Sequence, residues 1–260
     1  MHASTLTAFR TALASSLLVA KRERVHTLTV FGCGEQAYWH VRLALMLRGS
    51  TVRHVNFVNR RLSPSCKAIL ARLYGVPADM KAREGWAACE FGVLSPSYGD
   101  YDGLLGEQLR DADVIFCCTP SMRPLFDARA LTEHDKSAAH WKGRLIVAIG
   151  SYTPEMREVP VELIRQATAV KVHTRRHLFH KHEDIVEGGV VIVDTLDGAL
   201  KEAGELIEAG LEPRQLVEYV SLLSSPFIPC FVSSSCGSPA AATMRFWTDM
   251  AFAGLVSWRI

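Results

Sequence analysis

Short apolar, β-branched runs recur along the chain, and segments of helical spacing separate them. The runs are Thr27 to Phe31, His54 to Val58 (apolar apart from Asn56), Phe91 to Leu94, Val114 to Cys118, Leu145 to Ile149 and Val190 to Val193. They are solid rather than alternating, which predicts strands covered on both faces. Between them, Tyr38 to Arg48 places Val41, Ala44, Leu45 and Arg48 at helical spacing and meets Gly49 as a stop. Ser63-Pro64 opens a helix over Cys66 to Tyr74, ending at Gly75. Further helices are predicted over Leu104 to Arg110, from Val159-Pro160 through Ala167, and over Ala199 to Ala209, capped by Asp197 and stopped by Gly210. Pro77 to Tyr101 is otherwise mixed. The alternation predicts an α/β fold, a doubly wound parallel sheet with helices on both faces. The two ends differ. Thr5 to Lys21 reads as an alanine-rich helix with Leu6, Phe9, Leu13 and Leu17 on one face, ahead of the first strand. It belongs to a second domain or a subunit contact. Ala240 to Val256 reads as a helix carrying Phe246, Trp247, Met250 and Leu255, a stripe suited to a core or a subunit interface.

Composition narrows the class. The 260 residues are 48% hydrophobic, enough for a sizeable core, and a net charge of +2 gives no pull toward nucleic acid or acidic lipid. No apolar run has the length of a transmembrane helix. Thr11 to Ala20 is apolar, but Arg10 before it and Lys21-Arg22-Glu23-Arg24 after it favour a helix over a signal peptide. Seven cysteines without metal-type spacing predict reduced thiols in a cytoplasmic protein. His173 to His182 (HTRRHLFHKH) is read as an exposed loop rather than a metal site, and no metal is expected.

The candidate chemistry sits where the first strand meets the first following helix. Gly32, Cys33, Gly34, Glu35, Gln36 and Ala37 lie between them, the context a dinucleotide-binding turn needs. Gly32 permits the tight turn, Gly34 lets a pyrophosphate approach the backbone, and Ala37 keeps helix and strand close. The phosphates would meet free N–H groups at the positive end of the helix. An ordinary strand-to-helix turn is the competing reading. The next strand ends in Asn59, Arg60 and Arg61, where an NAD-binding domain usually has an acid for the ribose 2′-hydroxyl. Paired guanidiniums suit a 2′-phosphate instead, so NADP(H) is the expected cofactor. The alternative, two solvated surface charges, stays open. Ligands in such sheets bind beyond the carboxyl ends of the strands, which puts Gly32, Asn59 to Arg61, Thr119-Pro120-Ser121 and Gly150-Ser151 on one rim.

Taken in order, several blocks resemble the ornithine cyclodeaminase/μ-crystallin family: LTAFRTALASSL (Leu6 to Leu17), the glycine turn with Gln36-Ala37, VNRR, ADVIFCCTPSMRPLF (Ala112 to Phe126), GRLIVAIGSYTPEMREV (Gly143 to Val159), VIVDTLDGALKEAGELIEAG and SSSCG. The resemblance implies a Rossmann-type domain (25–212) inserted in a second, substrate-binding and dimerising domain, of which 1–24 and 213–260 are remnants. It matches Gly32, Gly34, Glu35, Gln36 and Ala37 to the pyrophosphate turn. Asn59, Arg60 and Arg61 match the adenosine-ribose and 2′-phosphate site. Thr119 and Ser121 match a loop passing the cofactor, Ser235 to Gly237 a segment near the nicotinamide, and Arg10 an arginine holding the substrate carboxylate.

Two departures bear on function. The position of a cyclodeaminase aspartate is Tyr152 here, and family members carry about a hundred further residues before the Leu6 helix, including a lysine and a second arginine. The expected activity is therefore NADPH-dependent reduction of the C=N bond of a cyclic imino acid by a homodimer. The alternatives are a non-catalytic NADPH-binding protein of μ-crystallin type and an NAD-dependent ornithine cyclodeaminase.

Overall fold

The computed structural model describes residues 3–132, 143–169, 171–175, 183–187, 190–219 and 254–257. A parallel sheet takes up β1 (Thr27–Phe31), β2 (His54–Val58), β3 (Glu90–Leu94), β4 (Val114–Cys117), β5 (Leu145–Ala148), β8 (Val190–Val193), β9 (Leu216–Glu218) and β10 (Gly254–Ser257). Its order is β3-β2-β1-β4-β5-β10-β8-β9. Phe31 is in register with Val58 and Cys117, Val58 with Leu94, and Cys117 with Ala148. The carboxyl ends of five strands therefore line up on one rim.

The solid apolar runs follow from burial on both faces. In β4, Val114 and Phe116 join one core cluster with Leu28, Val30, Val55, Phe57 and Val147. Ile115 and Cys117 point the other way, into a second cluster with Ile146, Ala148, Val191 and Val193. Successive side chains alternate faces, so a strand between two helical layers needs no polar position. The first layer holds α1 (Ala3–Val19), α2 (Glu35–Arg48) and α3 (Pro64–Tyr74), with α4 (Ala78–Glu84) at its edge; the second holds α5 (Tyr101–Asp111), α6 (Arg129–Thr132), α7 (Val161–Thr168), α8 (Leu196–Glu202) and α9 (Gly204–Ala209).

Helix α1 buries its small and hydroxyl face: Ala8, Thr11, Ala12, Ser15, Ser16 and Val19. Leu6, Leu13 and Leu17 face outward, while Phe9 packs edge-on against Trp39. Buried His40 of α2 joins the two helices, with Nδ1 on the Gln36 carbonyl (2.7 Å) and Nε2 on the Ser15 hydroxyl (3.1 Å). Arg42 forks onto Glu84 with both bonds at 2.7 Å, and the Trp86 indole donates to the same carboxylate at 2.6 Å, tying α2 to α4.

Several elements differ from the sequence reading. Helix α2 starts at Glu35 rather than Tyr38, so Glu35, Gln36 and Ala37 form its first turn. The mixed stretch after Pro77 contains α4, closed by Gly85 at φ 83°. The helix expected over Ala199 to Ala209 is two pieces: α8 starts after Thr195, not Asp197, and α9 starts at Gly204. A Cβ at Gly204 would lie 2.3 Å from the Met156 carbonyl oxygen and 2.4 Å from that of Pro154, so the chain breaks where it packs against the loop after β5. Lys171–Arg175 and Glu183–Glu187 form an antiparallel pair, β6 and β7, so part of the expected histidine-rich loop is strand. Of the expected Ala240 to Val256 helix, only its last residues are described; Gly254–Val256 lie in β10, between β5 and β8. Among the described residues no helix is long and apolar enough to cross a membrane.

Candidate functional site

The rim is built around Gly32. Its N–H donates to the Val58 carbonyl at 2.9 Å, and its φ is +99°, a conformation side chains resist. A Cβ there would sit 2.8 Å from the Cys118 carbonyl oxygen and 3.1 Å from Cγ2 of Thr119. The turn is thus pressed against the ends of both neighbouring strands. Gly34 is different. It is extended, it precedes α2, no side chain caps the helix, and a Cβ on it would meet nothing within 4 Å. The first-turn N–H groups of α2, which have no intrahelical acceptor, face that space with the positive end of the helix dipole behind them. Ala37 is fully buried at the foot of the same turn.

A cavity of about 260 Å³ opens beside the turn, between α2 and α3. It is lined by Cys33, Gly34 and Glu35 on one side and by Ser65, Ala68, Ile69 and Arg72 on the other. Gln36, also in this first turn, accepts from His40 through its carbonyl.

At the end of β2, the Asn59 N–H donates to the Leu94 carbonyl at 3.0 Å. Its side-chain amide donates to the Arg61 carbonyl (2.8 Å) and lies 3.4 Å from Ser63 Oγ and 3.3 Å from Cys66 Sγ. This folds the loop back onto the start of α3. Arg60 and Arg61 are exposed and, among the described residues, neither guanidinium is engaged in a hydrogen bond or ion pair.

The ends of β4 and β5 are braced by a residue to which the sequence alone gives no role. Glu158, fully buried, accepts from the Thr119 N–H (2.7 Å) and hydroxyl (3.0 Å) with one oxygen, and from the N–H groups of Ile149 (3.1 Å) and Gly150 (2.6 Å) with the other. Burial pushes its carboxyl up to about 7 against those hydrogen bonds, with nearby Glu205 adding to the rise. Glu205 is itself pushed up to about 6, chiefly by burial. The sequence around Glu158 gives no signal of this role, because Glu155, Arg157 and Glu162 beside it make the segment read as a solvated surface. Gly150 approaches the Thr119 carbonyl so closely that a Cβ would lie 1.8 Å from that oxygen. Ser121 Oγ donates to the Arg123 carbonyl at 2.6 Å, and the Ser121 carbonyl accepts from the Arg157 N–H at 2.8 Å.

The structure therefore brings Gly32, Gly34, Glu35, Gln36, Ala37, Asn59, Arg60, Arg61, Thr119 and Ser121 to one rim. Tyr152, 45% exposed, follows Gly150 and the buried Ser151 on the same edge. Arg10 is exposed on α1 and makes no bond to the rim among the described residues. Ser235 and Gly237 lie outside the described residues, as do Cys230 and Cys236. Cys33, Cys66, Cys89, Cys117 and Cys118 are free thiols. No group of three or more His, Cys, Asp or Glu among the described residues is arranged to hold a metal ion.

No family model matches the chain. An uncharacterized protein of Saccharomyces cerevisiae is 27% identical over 238 residues, covering 84% of this chain and 57% of that protein. An uncharacterized cyclodeaminase of Dictyostelium discoideum is 26% identical over 211 residues, covering 72% of this chain and 55% of its own length. Among solved structures, a probable ornithine cyclodeaminase from Bordetella pertussis superposes with a TM-score of 0.60 at 21% identity, over 98% of this chain and 61% of the other. The Δ1-pyrroline-2-carboxylate reductase of Thermococcus litoralis, solved with NADH and L-proline, gives 0.58 at 14% identity, over 96% and 59%. The iminosuccinate reductase of Paracoccus denitrificans, solved with NAD+, gives 0.57 at 19% identity, over 97% and 58%. The chain has the fold of these three solved structures, spans somewhat over half the length of the relatives and structures it matches, and its resemblance to the ornithine cyclodeaminase/μ-crystallin family extends to that fold.

Proposed function

We propose that this chain is the dinucleotide-binding core of an NADP(H)-dependent oxidoreductase of the ornithine cyclodeaminase/μ-crystallin type, acting on the C=N bond of a small, cyclic imino acid. The observation that carries the reading is the pairing of an uncapped helix start, open at Gly34, with two unengaged guanidiniums, Arg60 and Arg61, at the end of the adjacent strand. The site fits a phosphorylated dinucleotide: room for a diphosphate where a side chain would otherwise stand, and cations where the 2′-phosphate would lie. NAD-bound relatives of the same fold support a nicotinamide cofactor, and the missing acid after β2 favours the phosphorylated form.

In this reading the N–H groups of Gly34 to Ala37 bind the diphosphate, and Asn59, Arg60 and Arg61 bind the phosphorylated ribose. Glu158 holds the Thr119 and Gly150 backbones in a fixed relation, so the loop carrying Thr119 and Ser121 is set before ligand arrives. The chemistry such a cofactor supplies when bound is hydride transfer to the imine carbon. A protonated imine is already electrophilic and asks little acid catalysis, so the protein's contribution is a carboxylate anchor, assigned to Arg10, and orientation. Residues 25–212 are proposed as the cofactor domain and 1–24 as part of a substrate and dimerisation domain; within 213–260, β9 and β10 join the cofactor domain's own sheet, which corrects the expectation that this whole segment belongs to the second domain. The outward leucine face of α1 supports a homodimer.

NADPH oxidation assayed with a panel of cyclic ketimines tests the reaction; turnover with at least one is expected. The exposed, unengaged Arg10 and the Tyr152 at the aspartate position favour a second reading, a non-catalytic NADPH-binding protein. Tight NADPH binding with no turnover on any ketimine would select it. Tyr152 offers no carboxylate for deamination, so proline and ammonia are not expected from ornithine with NAD.

A further inference from the structure

The cavity beside the glycine turn contains an acid where a phosphate should approach. Glu35 stands at the first position of α2, immediately after the open Gly34, and lines the cavity. A carboxylate there is stabilised by the helix dipole, but it competes with any anion for the same N–H groups and repels it. Arg72, at the far end of α3 and across the cavity, forks onto both Glu35 carboxylate oxygens, one at 3.4 Å and one closer. Its guanidinium also lies 3.5 Å from the ring centroid of Tyr38, one helical turn beyond Glu35. Ring below and carboxylate beside hold a flexible arginine in one place, using the planar geometry that distinguishes Arg from Lys. Ser65, Ile69 and Arg72 follow helical spacing on the wall of α3 that faces the turn.

We propose that Arg72 is a positioning residue of the dinucleotide site. Seated on Tyr38, it draws the Glu35 carboxylate aside and cancels its charge, so that the α2 N-terminus accepts a diphosphate despite the acid at its first position. The inference rests on the reading of this rim as a dinucleotide site. It differs from the role given to Arg60 and Arg61, because it concerns the diphosphate common to both nicotinamide dinucleotides. Losing Arg72 therefore weakens NADPH and NADH alike and leaves their ratio in place.

The test is titration of the full chain with NADPH and with NADH, for the wild type and for Arg72→Gln, Arg72→Lys, Glu35→Gln and the Arg72→Gln/Glu35→Gln double variant, with folding checked by circular dichroism. Arg72→Gln is expected to weaken both nucleotides about fivefold, the upper end for a charge contact between side chains 38% and 44% exposed to solvent. The double variant is expected to recover most of that loss, and Arg72→Lys to fall between. A fold-only role for Arg72 would not produce rescue by a second substitution that removes an acid. Unchanged affinity in Arg72→Gln overturns the proposal, as does a loss that Glu35→Gln fails to restore. A wild-type chain that binds neither nucleotide overturns the dinucleotide reading itself, and this inference with it.

Discussion

At the scale of single residues, the two glycines of the turn separate fold from function. Gly32 is held at positive φ with the Cys118 carbonyl where a Cβ would go, whereas Gly34 borders empty space. Gly32→Ala is expected to cost about 1–3 kcal/mol or more in chemical denaturation. Gly34→Val is expected to leave the denaturation midpoint nearly unchanged yet weaken nucleotide binding at least about tenfold, by blocking the diphosphate. Both glycines were legible in the sequence, because a strand-to-helix turn asks for them by position. Glu158 was not, because its role depends on two loops meeting from separate strands. Its carboxyl is raised, so the folded state holds the proton more tightly than the unfolded chain. The stability it contributes is complete below the unfolded value of about 4.5 and is lost as pH rises through about 7. Urea denaturation of wild type against Glu158→Gln should show the wild type losing ground across that window, by up to about 3 kcal/mol.

At the scale of elements, the sequence was most informative where periodicity decides and least where packing does. β1 and β2 were read to the residue, since nothing but a buried strand fits those runs. The gap between α8 and α9 was invisible, because it arises from the carbonyls of Pro154 and Met156 crowding Gly204. Periodicity points to the leucine face of α1, yet the helix buries Ala8, Thr11, Ala12, Ser15 and Ser16, whose small side chains allow close approach to α2. That contact carries His40, whose protonation burial disfavours, lowering it to about 4. Stability from the neutral imidazole is complete above its unfolded value of about 6.5 and is lost as pH falls through about 4. This trend is opposite in sign to that of Glu158 and overlaps it. Thermal unfolding of His40→Gln across pH 4 to 6.5 is therefore expected to lack an acid-side loss of up to about 3 kcal/mol present in the wild type.

At the scale of the whole molecule, the parallel sheet gathers five strand ends on one edge, and the candidate binding residues follow from that alignment rather than from proximity in sequence. Gly32, Asn59 to Arg61, Thr119 and Gly150 were placed on one edge by the rule that parallel sheets bind ligands at their carboxyl ends, and the registers put them there. What the sequence could not supply was the partnering across the cavity, Arg72 with Glu35, which exists only once α3 lies beside α2. The position of β10 between β5 and β8 is equally hidden, since its short run continues a stretch of helical spacing in the sequence. The most direct measurement of the account is the ratio of NADPH to NADH dissociation constants for the wild type and for Arg60→Ala/Arg61→Ala. A wild-type preference for NADPH that falls by about a hundredfold in the double variant, each guanidinium–phosphate contact contributing about 1.5 kcal/mol, is the predicted result. An unchanged ratio, or a wild type with no preference for the phosphorylated nucleotide, would contradict it.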